Sequence, residues 1–250
     1  MWGFLKGTIC QLWKSKKPIA LYFVCLLVAI FILLIIFGGL FKEKPAIQKA
    51  QSATDLIFSA PYLKKLGHPA EVDYSYQHTT DKPKDFGADF DEEVTIQVNP
   101  PTREGGFNSV GIALKRDARE RILGPFENTN GNPVVMMFLE RDLTQMRSRV
   151  GGTPVYFRNT IRRAFRDSAK LEEISVEVKG VDLPATKITI HPFVDEKNVG
   201  RFGKFRGKVF ETIVADGIPG GIYSMRSFVP GETEAEGVLV TNELLYQPDK

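Results

Sequence analysis

The strongest pattern in the chain is an uninterrupted apolar run near its start. From Pro18 to Phe41 no charged residue occurs, and Ile19 to Phe37 is built almost wholly of leucine, isoleucine, valine, phenylalanine and alanine. A helix rising about 1.5 Å per residue needs about 20 such residues to cross a bilayer. Lipid leaves the backbone little alternative to a helix, because every polar main-chain group must be satisfied internally. The pattern therefore predicts a transmembrane helix over 18–41, in contact with membrane lipid. Tyr22, Trp13 and Trp2 stand where interfacial aromatics are expected. A cleaved signal peptide would have an apolar region of about 7–15 residues followed closely by small residues, and this run fits neither condition. Cys25 has bulky neighbours in mid-span and reads as a small apolar residue rather than a lipid-attachment site.

After the span the spacing of apolar positions changes repeatedly. Ile47, Ala50, Ala53, Leu56 and Ile57 recur at helical intervals, so 42–66 is predicted to be a partly helical connector. Residues 67–108 read as polar and turn-rich, with one short strand, Val94 to Val98. Ser109 to Leu123 is ambiguous: Val110, Ile112 and Leu114 alternate like a strand, while Ala118, Ile122 and Leu123 suit a helix. Asn132-Pro133 then supplies a helix cap followed by proline, and Val135, Leu139, Leu143, Met146 and Val150 mark one helix face. Gly151-Gly152 ends that helix. Thr153-Pro154 starts a second, with Phe157, Ile161, Ala164 and Phe165 on its apolar face.

Strand-like alternation follows at Ile174 to Val178, Ile188 to Ile190, Lys208 to Ala215, Ile222 to Val229 and Gly237 to Tyr246. Short links favour antiparallel neighbours. The predicted fold class is α+β: a single N-terminal transmembrane helix, then a domain with a helical hairpin packed on an antiparallel meander sheet of four or five strands. The predicted organisation is a cytoplasmic tail at 1–17, the span at 18–41, the connector at 42–66 and an extracytoplasmic domain at 67–250. This order of elements resembles, in layout, the bitopic inner-membrane subunits of type IV secretion systems. The resemblance implies a nuclear-transport-factor-like periplasmic domain.

Charge refines the topology. Lys6, Lys14, Lys16 and Lys17 precede the span, and no acid occurs before Glu43. The excess of positive charge favours a cytoplasmic N-terminus. The whole chain carries 33 basic and 30 acidic residues, so without those lysines it is nearly neutral. The basic pI therefore argues for no nucleic-acid partner. Both cysteines, Cys10 and Cys25, lie at or before the span, which leaves no disulfide framework or thiolate metal site beyond it. No glycosylation sequon occurs. A single-pass protein of a bacterial inner membrane, with its C-terminal domain in the periplasm, is the expected setting.

No catalytic constellation stands out. His68, His78 and His191 lack the close pairing a zinc site prefers. Asp85, Asp89, Asp91, Glu92 and Glu93 form an acidic run without the spacing or central glycine of a calcium loop. No Gly-x-Ser-x-Gly elbow is present, and Asp85-Phe86-Gly87 stands without a phosphate-binding loop. Glu211 and Glu243 lie on predicted strands, and an enzyme would require a cleft converging on His191, Glu211 or Ser224. Neither a cofactor nor a metal is expected.

The clearest chemical signal is basic. Arg158, Arg162 and Arg166 recur every four residues on the second helix, with Arg163 beside them, and Arg141, Arg147 and Arg149 lie on the helix before. Guanidinium stripes grip carboxylates and phosphates bidentately. A second basic stretch, with Arg201, Lys204 and Arg206, interleaves phenylalanine and glycine. Arg158, Arg162, Arg163, Arg166, Arg201, Lys204 and Arg206 are the predicted partner-binding set, for a protein partner in a membrane complex or for anionic lipid headgroups. The expected function is a membrane-anchored, non-catalytic interaction module of an envelope complex. The alternative is a tethered carrier of lipid or a small ligand, with Met136, Met137, Phe138 and Met225 lining an apolar pocket.

Overall fold

Nine strands are paired by backbone hydrogen bonds in the computed structural model, which describes residues 52–66, 69–100, 109–127 and 131–248. These belong to the second of two units of the chain, Gln51–Lys250, the first being Met1–Ala50. The strands are β1 (Ala70–Thr79), β2 (Phe90–Asn99), β3 (Ser109–Arg116), β4 (Arg119–Glu127), β5 (Lys170–Val178), β6 (Val181–Ile190), β7 (Val209–Val214), β8 (Ile222–Pro230) and β9 (Val238–Tyr246). They form one sheet in the order β4-β3-β2-β1-β9-β8-β7-β6-β5. Every neighbouring pair is antiparallel.

This corrects the expected meander of four or five strands and its nuclear-transport-factor-like layout. The strands after the helices make five of the nine. Four more precede the helices, and the pairing of β1 with β9, Tyr74 opposite Tyr246 through Thr79 opposite Thr241, joins the two halves. The region read as turn-rich, 67–108, holds β1 and all of β2, of which only Val94 to Val98 was expected as strand. In β1 the inward positions are Val72, Tyr74, Tyr76 and His78, all buried. Aromatic and imidazole side chains there gave the alternation little hydropathic contrast.

Two helices cover one face of the sheet, α1 (Val134–Val150) and α2 (Pro154–Asp167). Asn132 Oδ1 accepts from the Val134 amide at 3.1 Å, satisfying a donor that the first turn cannot. Thr153 caps α2 through its side-chain oxygen, which accepts from the Tyr156 amide at 3.3 Å. Between them Gly151 and Gly152 have φ of 65° and 101°, which is left-handed backbone that favours glycine. α1 buries Val135, Phe138, Leu139, Leu143 and Met146, and α2 buries Phe157, Ile161 and Phe165. Each fully buried side chain of this size contributes roughly 1.5–3 kcal/mol of apolar burial.

Residues 52–66 also enter this core. Ile57 and Leu63 are buried in it, and Phe58 packs edge-to-face on Phe165 with ring centroids 5.6 Å apart. The predicted tail and transmembrane span at 1–41 lie outside the described residues. No helix among the described residues is long and apolar enough to cross a membrane.

Candidate functional site

A groove of about 930 Å³ opens where the edge strand β4 passes the first turns of α1. Leu123, Pro125 and Phe126 come from β4, Val135, Met136 and Met137 from α1, and Ile57 and Phe58 from the N-terminal helical turn Asp55–Ser59. Its walls are mainly apolar. Val135 and Met137 are buried at its base, while Phe126 and Met136 remain 38% and 39% exposed. Isolated exposed apolar residues need no explanation, and these two share one concavity.

The groove is built from close approaches. A Cβ on Gly131 would meet the Phe58 carbonyl oxygen at 2.6 Å, so only glycine lets that chain cross the 55–59 turn. Gly124, with φ of 110°, lies where a Cβ would meet the Val110 carbonyl oxygen at 2.8 Å. Asn132 ties the rim to the sheet. Its amide donates to the Tyr74 hydroxyl at 3.2 Å and to the Gly220 carbonyl at 2.9 Å. Burial pushes the Tyr74 phenol well above its ordinary pKa, so it stays a neutral partner.

Two carboxylates border the groove, Glu127 and Glu140. Glu140 is engaged by Arg158 through two parallel bonds, Nε to Oε1 at 2.5 Å and the terminal nitrogen to Oε2 at 2.7 Å. Of the four residues proposed to line an apolar pocket, Met136 and Met137 do so. Phe138 and Met225 are each 1% exposed and belong to the packed core.

A second polar feature lies beneath α1. His78, Asn242 and Ser227 sit directly opposite one another across β1, β9 and β8. Asp142 and Gln145 descend onto them from α1, and Lys208 enters just before β7. Asp142 Oδ2 accepts from Lys208 Nζ at 3.0 Å, from Asn242 Nδ2 at 3.1 Å and from the Ser227 hydroxyl. His78 Nδ1 donates to Asn242 Oδ1 at 2.7 Å, and its Nε2 has no hydrogen-bond partner among the described residues. All of these except Gln145 are at least nine-tenths buried, so substrate has no approach. The cluster pins α1 to the sheet. Its sequence signal was polar residues at inward strand positions and Asp142 on the apolar face of α1.

The predicted partner-binding residues are mostly engaged within the chain. Arg158 holds Glu140. Arg166 pairs with its neighbour Asp167 at 2.7 Å and, as the main cause, holds that carboxyl below the usual carboxylate range. Arg201 Nε donates to the Val150 carbonyl at 2.5 Å and so caps the C-terminus of α1. Arg206 donates to the Val194 carbonyl at 3.1 Å, and Lys204 Nζ lies 3.4 Å from Glu236. Arg162 and Arg163 are exposed, and Arg163 lines a second cavity, of about 720 Å³, with His191 and Asp167.

The residues that an enzyme would have required occupy different surroundings. Glu211 forms an ion pair with Lys187 at 2.6 Å, and Ser224 stands within β8 opposite Leu245. The acidic run is likewise dispersed. Asp89 accepts from the Thr80 amide, Glu92 pairs with Arg141 and Glu93 with Lys115. No group of three potential metal ligands occurs among the described residues.

No family model matches the chain, and no curated protein matches its sequence. Among solved structures it is similar to the lipoprotein LppX of Mycobacterium tuberculosis, with 13% identity, a TM-score of 0.30, and coverage of 72% of this chain and 86% of that one. It is also similar to a DUF1329 family protein of Desulfovibrio piger, with 11% identity, a TM-score of 0.21, and coverage of 79% and 93%. Scores of this size carry no functional argument, which therefore rests on the geometry alone.

Proposed function

We propose that the folded domain is a non-catalytic binding module for an apolar ligand, such as a lipid acyl chain, tethered to a membrane by the span at 18–41. The observation that carries this reading is the groove between β4 and α1. Its size falls in the range of small-molecule sites, roughly 300–1,000 Å³. Its walls are apolar and two of its large side chains are exposed toward it. Methionines suit ligands of variable shape, because the thioether chain is unbranched and adaptable. The same proposal includes a bacterial inner membrane, a cytoplasmic N-terminus and a periplasmic domain. It draws support from the lysines before the span and the confinement of both cysteines to the first 25 residues.

Native mass spectrometry of the full chain, extracted in mild detergent, tests it. A co-purifying apolar molecule is expected on the wild-type protein and absent from Met136→Trp, which fills the groove. A wild-type chain with no bound molecule, or an unchanged load in the variant, would overturn the proposal.

A second reading, docking of an acidic protein partner, is supported by one observation. Arg162 is exposed and makes no ion pair or hydrogen bond among the described residues. If Arg162 and Arg163 form the contact, Arg162→Glu with Arg163→Glu abolishes co-purification of the partner while leaving the groove loaded.

A further inference from the structure

At the far end of α1 from the groove, basic residues converge on a smaller pocket of about 270 Å³. The groove takes residues of α1 as far as Glu140 and the pocket takes Arg149 and Val150, so roughly 14 Å of helix separates the two sites. Four cations line this pocket: Lys82, Arg149, Arg201 and Lys204. One carboxylate, Asp85, lines it too, and Glu236 stands behind it, 3.4 Å from Lys204 and 3.9 Å from Lys82. Positive charge is therefore in excess.

The cations are held differently. Arg201 is fixed by its bond to the Val150 carbonyl, with Glu196 within electrostatic reach. Arg149 is exposed and has no ion-pair partner among the described residues. The floor is apolar: Phe86 and Phe205 meet edge-to-face at 5.9 Å, and Leu239 lies beside them. Guanidinium and ammonium groups around a low-dielectric floor favour a compact anion, because burial against apolar walls strengthens each charge-assisted bond.

We propose that this pocket binds a phosphate group of net negative charge, one not balanced by an attached cation, carried either by a lipid headgroup or by a free anion. The site is separate from the apolar groove and stands whether or not the groove binds a ligand. Two predicted partner-binding residues, Arg201 and Lys204, thereby act together, with Lys82 and Arg149 as members that the linear pattern did not group with them.

Calorimetric titration of the full chain in a non-ionic detergent tests it, with inorganic phosphate, dioctanoyl phosphatidylglycerol and dioctanoyl phosphatidylcholine as probes. Saturable binding of phosphatidylglycerol is expected, weakened by roughly fivefold or more in Arg149→Gln and in Lys82→Gln, and unchanged in Lys179→Gln, an exposed position at the β5–β6 turn outside the pocket. Binding of phosphatidylglycerol without inorganic phosphate identifies a lipid headgroup as the source. Binding of both shows that the anion alone suffices. Absence of saturable binding by either, equal binding of phosphatidylcholine, or equal loss in Lys179→Gln would overturn the proposal.

Discussion

Lys208 Nζ lies 3.0 Å from Asp142 Oδ2, and the two side chains are 2% and 1% exposed. The bond joins the residue that leads into β7 to the middle of α1. A charge this deeply buried is tolerable only while its partner is present.

Removing one partner should therefore cost more than removing both. Lys208→Met leaves Asp142 charged beneath α1, and a loss of about 3–5 kcal/mol is expected in urea unfolding. The double variant Lys208→Met with Asp142→Leu should recover much of it, because the remaining hydroxyl and amides can bond one another. A double variant no more stable than Lys208→Met would refute this account of the pair.

Two glycines with nearly equal φ separate backbone strain from crowding. Gly180 and Gly221 both have φ of 76°, but a Cβ on Gly180 meets nothing within 4 Å while one on Gly221 would lie 2.0 Å from the Tyr62 ring. Gly180→Ala should cost about 1–2 kcal/mol, the strain alone. Gly221→Ala should cost several kilocalories per mole more, or prevent folding, because the ring must move. Similar unfolding midpoints for the two would show that Tyr62 yields freely.

What could be seen beforehand was chemistry local to a few residues. Asn132-Pro133 and Thr153-Pro154 mark the helix starts because capping requires only neighbours in sequence. The strands after α2 were legible because valine and isoleucine alternate there with charge. β1 was not, since its inward Tyr74, Tyr76 and His78 look polar until a partner strand covers them. β4 was hidden for another reason: nearly all of it is exposed on both faces, so no alternation exists to read. Arg201 looked free because its acceptor, Val150, is 51 residues away. The groove was half visible, through Met136 and Met137, but its other wall is β4.

Alkaline pH should unfold the domain through its tyrosines. Burial first, and Asp216 second, push the Tyr62 phenol from 10.0 up to about 12. Burial pushes Tyr74 and Tyr76 up as well. Each folded phenol keeps its proton where the unfolded one loses it. The unfolded state thus binds fewer protons, and stability falls as pH rises, beginning near 10 and continuing through the folded value. For Tyr62 that window is pH 10 to 12. Stability measured across it should decline less steeply in Tyr62→Phe. An identical slope would show that Tyr62 ionises as readily folded as unfolded.

The groove makes the most demanding prediction, because its wall and its ion pair can be altered separately. Phe126→Asp places a carboxylate where an apolar ligand would lie, beside the existing Glu127 and Glu140. Desolvating that charge against a bound chain is unfavourable, and displacement of a fluorescent fatty acid should show affinity falling by roughly tenfold or more. Since Phe126 is 38% exposed on an edge strand, the fold should lose little, within about 1 kcal/mol. Arg158→Gln instead frees the Glu140 carboxylate at the rim without touching an apolar wall. Affinity for an uncharged ligand should then change little, while a fatty acid, whose carboxylate meets an unpaired Glu140, should bind more weakly. If Phe126→Asp left both ligands bound as in the wild type, the apolar wall would not be the recognition surface.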